Sequence, residues 1–335
     1  MNDHSSNPSL SGKKILLTGA GGFIGSHLCQ ALTASGAEVT AMIRYSSQSG
    51  WGNLEFLPKD ARAGLTVVAG NVEDQDFVHR QMKGKEIVFH LAALIGIPYS
   101  YAAPKSYIRT NIEGSCNIFE AARVHGVERV VHTSTSEVYG TALYTPINEA
   151  HPLQGQSPYS ASKIAADKLA ESYHRSFGLP VVTVRPFNAY GPRQSARAVI
   201  PTIISQALFE PEIRLGSLDP IRDMTFVEDS VAGFLAAATA DCLGETINVG
   251  GGGVSSIGDI VEAVLRLLGC AKPVRLDPSR VRPQASEVLT LVCDNALAAQ
   301  KLNWRPTVSL EQGLAKVAEF IAAHPDFIKT SIYAV

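Results

Sequence analysis

The chain has 335 residues, 29 Lys and Arg against 31 Asp and Glu for a formal net charge of −2, and 45% apolar with 18% charged residues. That composition excludes a disordered, collagen-like or disulfide-stapled chain, and near-neutral charge lacks the basic excess that neutralises a nucleic-acid backbone. The five cysteines are scattered with no Cys-x-x-Cys pair and the histidines lack ligand spacing, so no disulfide framework and no metal are expected.

Residues 1–12 read as a disordered polar tail without the apolar core of a secretion signal. No stretch nears the ~18 consecutive apolar residues of a membrane span, so the expectation is a cytoplasmic protein with no membrane partner. From Lys14 onward, short β-branched or Leu-rich runs alternate with longer helical patterns. Strands are predicted at Ile15–Leu17, Val39–Ile43, Thr66–Ala69, Ile87–His90, Arg129–His132 and Val181–Val184. Helices are predicted between them over Phe23–Ser35, Asp74–Met82, Pro104–His125 and Pro158–Phe177. This alternation predicts an α/β fold with a doubly wound, Rossmann-type parallel sheet, whose ligands sit at the carboxyl ends of the strands.

After Arg185 the regularity weakens. Phe226–Ala240 reads as a helix, Glu245–Val249 as a strand, and Ser256–Leu268 and Leu310–Ala322 as amphipathic helices. The expected division is a dinucleotide-binding domain over residues 13–190 plus about 226–250. A smaller C-terminal substrate-binding lobe takes about 191–225 plus 251–325.

The first strand runs into Thr18-Gly19-Ala20-Gly21-Gly22-Phe23-Ile24-Gly25. A strand, a glycine turn and a helix in that order bring backbone N–H groups to a pyrophosphate at the positive helix end. The Gly19-x-x-Gly22-x-x-Gly25 spacing resembles that of the short-chain dehydrogenase/reductase superfamily. After the second strand, where a carboxylate would accept the ribose 2′-OH of NAD, stand Arg44-Tyr45-Ser46-Ser47. A cation and hydroxyls there favour the 2′-phosphate of NADP over NAD; the alternative is a solvated surface arginine.

Tyr159 and Lys163 lie four apart on one helical face, where an ammonium beside a phenol favours the phenolate and makes a base near neutrality. Upstream, just past the fifth strand, stand Thr135-Ser136-Glu137.

With His90-Leu91-Ala92-Ala93, Thr110-Asn111, Arg185-Pro186-Phe187-Asn188-Ala189-Tyr190-Gly191-Pro192-Arg193, Arg222-Asp223 and Arg282-Pro283, the chain resembles an extended short-chain dehydrogenase of the nucleotide-sugar epimerase/dehydratase family from about Lys14 to Thr307. The Thr-Ser-Glu triplet is similar to that of GDP-mannose 4,6-dehydratases. The segments from Ser157 to Lys163 and from Pro186 to Pro201 most resemble legionaminic-acid-pathway dehydratases acting on nucleotide-linked N-acetylglucosamine.

The resemblance implies a tightly bound NADP or NAD held by Gly19, Gly22, Phe23, Ile24, Gly25, Arg44, Ser46, Ser47, Asn71, Val72, Leu91, Ala92, Ala93, Asn111, Tyr159, Lys163 and Pro186. It implies that Tyr159, with Thr135 on the same oxygen, takes the O4 proton as C4 loses its hydride. Glu137 then removes the C5 proton, water leaves C6 with Glu137 or a water held by Ser136 as acid, and the hydride returns to C6. Asn188, Arg193, Arg222, Arg282 and Glu287 are the expected substrate ligands. The expected substrate is UDP- or GDP-linked N-acetylglucosamine, and the expected assembly is a homodimer paired through helices 104–125 and 158–177. The alternatives are a nucleotide-sugar 4-epimerase, a UDP-glucuronate decarboxylase, and a silent dinucleotide-binding sensor.

Overall fold

In the computed structural model, which describes residues 10–47, 49–281 and 288–328, all six early strands form. They are β1 (Lys14–Thr18), β2 (Glu38–Ile43), β3 (Leu65–Ala69), β4 (Ile87–His90), β5 (Arg129–Thr133) and β6 (Val181–Pro186). With Thr246–Val249 they build one seven-stranded sheet in the order Thr246–Val249, β6, β5, β4, β1, β2, β3, parallel throughout. The strand order reverses between β1 and β4, so the crossovers diverge there and leave a crevice at the carboxyl ends.

Period-two alternation explains why the strands read as unbroken apolar runs. Ile15, Leu17, Ile87 and Phe89 face one side of the sheet, whereas Leu16 and Val88 face the other, and both sides are covered. Helices Phe23–Ala34 and Val227–Thr239 pack on the first side through Leu28, Leu32, Val231 and Phe234. Gln75–Met82, Gly114–Val124 and Pro158–Phe177 cover the second through Val78, Ile118, Phe119 and Ala170. The last of these begins at a capping box between Ser157 and Ser160 and ends at Gly178 in the left-handed region, φ 69°. Its start is thus fixed two residues before Tyr159, which sits in the first turn.

One predicted helix differs. The pattern over 104–125 is divided into Pro104–Tyr107, a widened π turn at Ile108–Glu113, and Gly114–Val124. Within the π turn Asn111 is buried, donating to Leu94 O (3.0 Å) and Ser162 Oγ (2.9 Å) and accepting from Leu94 N (2.8 Å).

Beyond β6, short paired segments lie beside the main sheet. Asn188–Tyr190 pairs with Met224–Phe226, Ile221–Arg222 with Ser255–Ser256 and Thr290–Leu291, and Ile213–Leu215 with Val274–Leu276. Helices Val199–Phe209, Ile257–Leu268 and Leu310–Ala323 join the first-side core through Ile203, Ile260 and Leu314. The Asp223 carboxylate ties this region together, accepting from the N–H groups of Gly251 (2.8 Å), Gly252 (2.7 Å) and Cys293 (3.1 Å). Among the described residues no helix is long and apolar enough to cross a membrane.

Candidate active site

The crevice holds a cavity of about 820 Å³, at the upper end of the ~300–1,000 Å³ usual for ligand clefts. Its floor is the glycine turn. Gly19 holds φ +72°, and a Cβ there would lie 2.8 Å from Ala92 N; a Cβ on Gly25 would lie 2.2 Å from Gly19 O. Glycine is therefore the residue that lets the turn, the helix and the loop after β4 converge. The Phe23–Ala34 helix starts at Gly22 with no side-chain cap, so its first N–H groups remain available to an anion. These features fit a dinucleotide pyrophosphate.

Gly19, Gly22, Phe23, Ile24, Gly25, Arg44, Asn71, Val72, Leu91, Ala92, Ala93 and Pro186 all line the cavity. His90 lies behind this wall, fully buried, with Nδ1 on Thr18 Oγ1 (2.8 Å) and Nε2 on Ser115 Oγ (3.0 Å). Burial, and then the electrostatic influence of His132 and of Lys163, push its pKa far down. It is a neutral strut between β1, β4 and the Gly114–Val124 helix.

At the other end stand Thr135, Glu137, Tyr159 and Lys163, all lining the same cavity. β5 delivers Thr133 and then turns through Ser136–Tyr139, with Thr135 Oγ1 accepting from Glu137 N (3.2 Å). Burial raises the Tyr159 phenol well above its ordinary value; a hydrogen bond from Thr135 opposes this, and the Glu137 charge adds to it. Thr135 and Glu137 share the cavity wall with the phenol. Burial lowers Lys163 to about 8 against the pull of Asp167, and its Nζ donates to Thr133 O (2.6 Å).

Other expected ligands lie elsewhere. Ser46 and Ser47 are exposed just past β2 and do not line the cavity. Asn111 is consumed by its bonds to Leu94 and Ser162, shaping the loop from behind. Ser136 is buried outside the lining, Asn188 donates to Asp223 O (3.3 Å), and Arg222 Nη1 reaches Ile221 O and Leu289 O. Arg193 sits at φ +68°, which turns its guanidinium to Gln30 Oε1 (2.7 Å) on the first helix and away from the cavity. Arg282 and Glu287 lie outside the described residues.

Several lining residues were not among the expected ligands, including Tyr99, Glu73, Thr110 and Gln194. Thr110 donates to Glu73, and Gln194 Nε2 donates to Ala189 O (2.8 Å). They come from loops, from the π turn and, for Tyr99, from the short helix Ile97–Ala102, where too little periodicity exists to mark a side chain as facing the crevice.

Comparison with known proteins gives the same frame. Residues 16–317 match the family model described as GDP-mannose 4,6 dehydratase. The chain is 34% identical to dTDP-glucose 4,6-dehydratase of Streptomyces antibioticus, covering 91% of each chain. It is 33% identical to UDP-glucose 4-epimerase of Mycolicibacterium smegmatis, covering 92% of this chain and 98% of that one. Among solved structures, a double mutant of the dTDP-glucose 4,6-dehydratase DesIV from Streptomyces venezuelae, with NAD bound, superimposes with TM-score 0.85 at 30% identity, covering 94% of this chain and 98% of that one. UDP-glucuronic acid 4-epimerase from Bacillus cereus, in complex with UDP-glucuronic acid and NAD, follows with TM-score 0.83 at 29% identity, covering 92% and 99%.

Proposed function

Because the chain belongs to the GDP-mannose 4,6-dehydratase family, among the extended short-chain dehydrogenases that act on nucleotide sugars, we propose that it is a 4,6-dehydratase forming a 4-keto-6-deoxy sugar. The observation that carries this reading is Glu137, a carboxylate in the same cavity wall as Thr135 and Tyr159. Oxidation at C4 needs only the tyrosine. Elimination across C5 and C6 needs a second base, and Glu137 supplies one.

Tyr159 takes the O4 proton, with Thr135 bonded to the same oxygen. A nicotinamide dinucleotide bound in the glycine cradle supplies the acceptor for the C4 hydride and later its return to C6. The 4-ketone acidifies C5–H, Glu137 removes that proton, and the C6 hydroxyl departs as water, taking the proton that Glu137 then carries; Ser136, outside the lining, has no place in this step. Lys163, four residues on along the same helix face and lining the same cavity, is the cation assigned to favour the phenolate against the penalty of burial.

The likeness of residues 157–163 and 186–201 to enzymes of nucleotide-linked N-acetylglucosamine supports UDP- or GDP-GlcNAc as substrate. Mass spectrometry of products from a panel of UDP-, GDP-, CDP- and dTDP-sugars tests this: a product lighter by one water is expected. The 4-epimerase reading, supported by the likeness to UDP-glucose 4-epimerase, requires a product of unchanged mass.

The cofactor reading goes further, to NADP. Arg44 lines the cavity immediately after β2, on the side where a Rossmann sheet receives the adenosine ribose, and its guanidinium suits a 2′-phosphate. Dinucleotide released by denaturing the purified protein is expected to carry that phosphate. Recovery of NAD alone would remove the Arg44 argument without touching the fold. Ile108, Val124 and Phe177 stand exposed on the segments expected to pair, which supports the homodimer.

A further inference from the structure

Tyr159, Lys163 and Asp167 recur at every fourth position of one helix and so share a face. Asp167 is buried and accepts four hydrogen bonds from three residues on its two oxygens. Oδ2 accepts from Ser134 Oγ (2.7 Å) and from Arg185 Nε (3.2 Å) and Nη2 (2.9 Å), while Oδ1 meets His132 Nε2 (3.2 Å). Burial lowers the His132 pKa, so the ring meets the carboxylate as a neutral Nε2–H donor. Burial pushes Asp167 up, but the His132 bond and the Arg185 charge outweigh it and hold the carboxyl down to about 2. Arg185, on β6, also donates through Nη1 to Tyr139 OH (2.9 Å), and Tyr139 donates to Asn248 Oδ1 (2.7 Å).

The segment from Thr133 to Tyr139 is therefore tied three times to groups on or bonded to the Pro158–Phe177 helix. Lys163 holds Thr133 O, Asp167 holds Ser134 Oγ, and Arg185 holds the Tyr139 hydroxyl. Thr135 and Glu137 lie between those ties. The geometry points to the buried Asp167–Arg185 ion pair as a positioning device that clamps the strand-end carrying Thr135 and Glu137 to the helix carrying Tyr159 and Lys163.

This inference rests on the catalytic reading above and adds two residues that touch no substrate. Its physical basis is that a catalytic group displaced by ~1 Å can lose about 10²-fold in rate, so a segment bearing two such groups needs rigid support. The charge acts as well. Lys163 faces Tyr159 and Asp167 along its own helix, His132 on β5 and His90 on β4, and of these only Asp167 is a carboxylate that stabilises the ammonium.

Two variants test the clamp. Ser134→Ala removes one tie without stranding a charge and is expected to lower kcat roughly tenfold, the scale of one hydrogen bond to a charged group. Asp167→Asn is expected to lower kcat about 100-fold, with KM for the nucleotide sugar unchanged in both variants. Asp167→Asn also leaves Arg185 a buried, unpaired cation and can cost the fold, in which case Ser134→Ala decides alone. The alkaline limb of kcat in Asp167→Asn is expected at lower pH than in the parent, because Lys163 loses the charge that keeps it protonated. The Lys163 ε-carbon resonance, titrated without substrate and assigned with Lys163→Arg, is expected to move the same way. Parent kcat in folded variants together with an unmoved lysine titration would overturn the clamp. A parent that turns over no nucleotide sugar would instead overturn the catalytic reading, and the lysine titration would still report on the clamp.

Discussion

Tyr159→Phe is expected to lower kcat by roughly 10²–10⁴, the usual span for one acid–base group, while KM changes little. The substitution removes one oxygen and leaves the ring in its place against Tyr107, with centroids 6.3 Å apart. The magnitude follows from the environment. Burial opposes the phenolate and the Thr135 bond favours it, and a phenyl ring can neither ionise nor use that bond. Stopped-flow mixing with nucleotide sugar is expected to show no change in nicotinamide absorbance, because the block falls before C4 oxidation.

Glu137→Gln divides the reaction at a different point. Glutamine keeps the shape and loses the base, so C4 oxidation should survive while loss of C5–H and water falls by roughly 10²–10⁴. A 4-keto-hexose still bearing its C6 hydroxyl is expected to accumulate on the enzyme, detected by rapid quench and mass spectrometry, together with the absorbance of reduced nicotinamide. A variant that dehydrates at the parent rate would remove Glu137 from the mechanism and favour the epimerase or decarboxylase reading.

Much of the scaffold was legible because its signals are local. The runs at 15–17, 39–43 and 87–90 are β-branched or Leu-rich and bounded by turns, and each grew in the structure by at most a residue per end. The glycine spacing and the Tyr159–Lys163 step are backbone rules that hold wherever a strand, a turn and a helix meet. Features decided by tertiary packing were not legible. A helical pattern cannot reveal the π turn at 108–113, since that widening belongs to Asn111 reaching Leu94 and Ser162 from outside the helix. Arg193, in a segment matching the family motif, takes a left-handed backbone and points to Gln30, which neither charge nor neighbours foretell. The pairing of Asp167 with Arg185 joins a helix to the following strand across the core, and neither element's pattern asks for the other.

The choice between dehydration and epimerisation turns on where the C4 hydrogen ends. Turnover of a nucleotide sugar carrying deuterium at C4 is expected to place the label in the C6 methyl group of a 4-keto-6-deoxy product. Label returned to C4, in a product inverted there and retaining its C6 hydroxyl, would contradict the dehydratase assignment and make the enzyme a 4-epimerase.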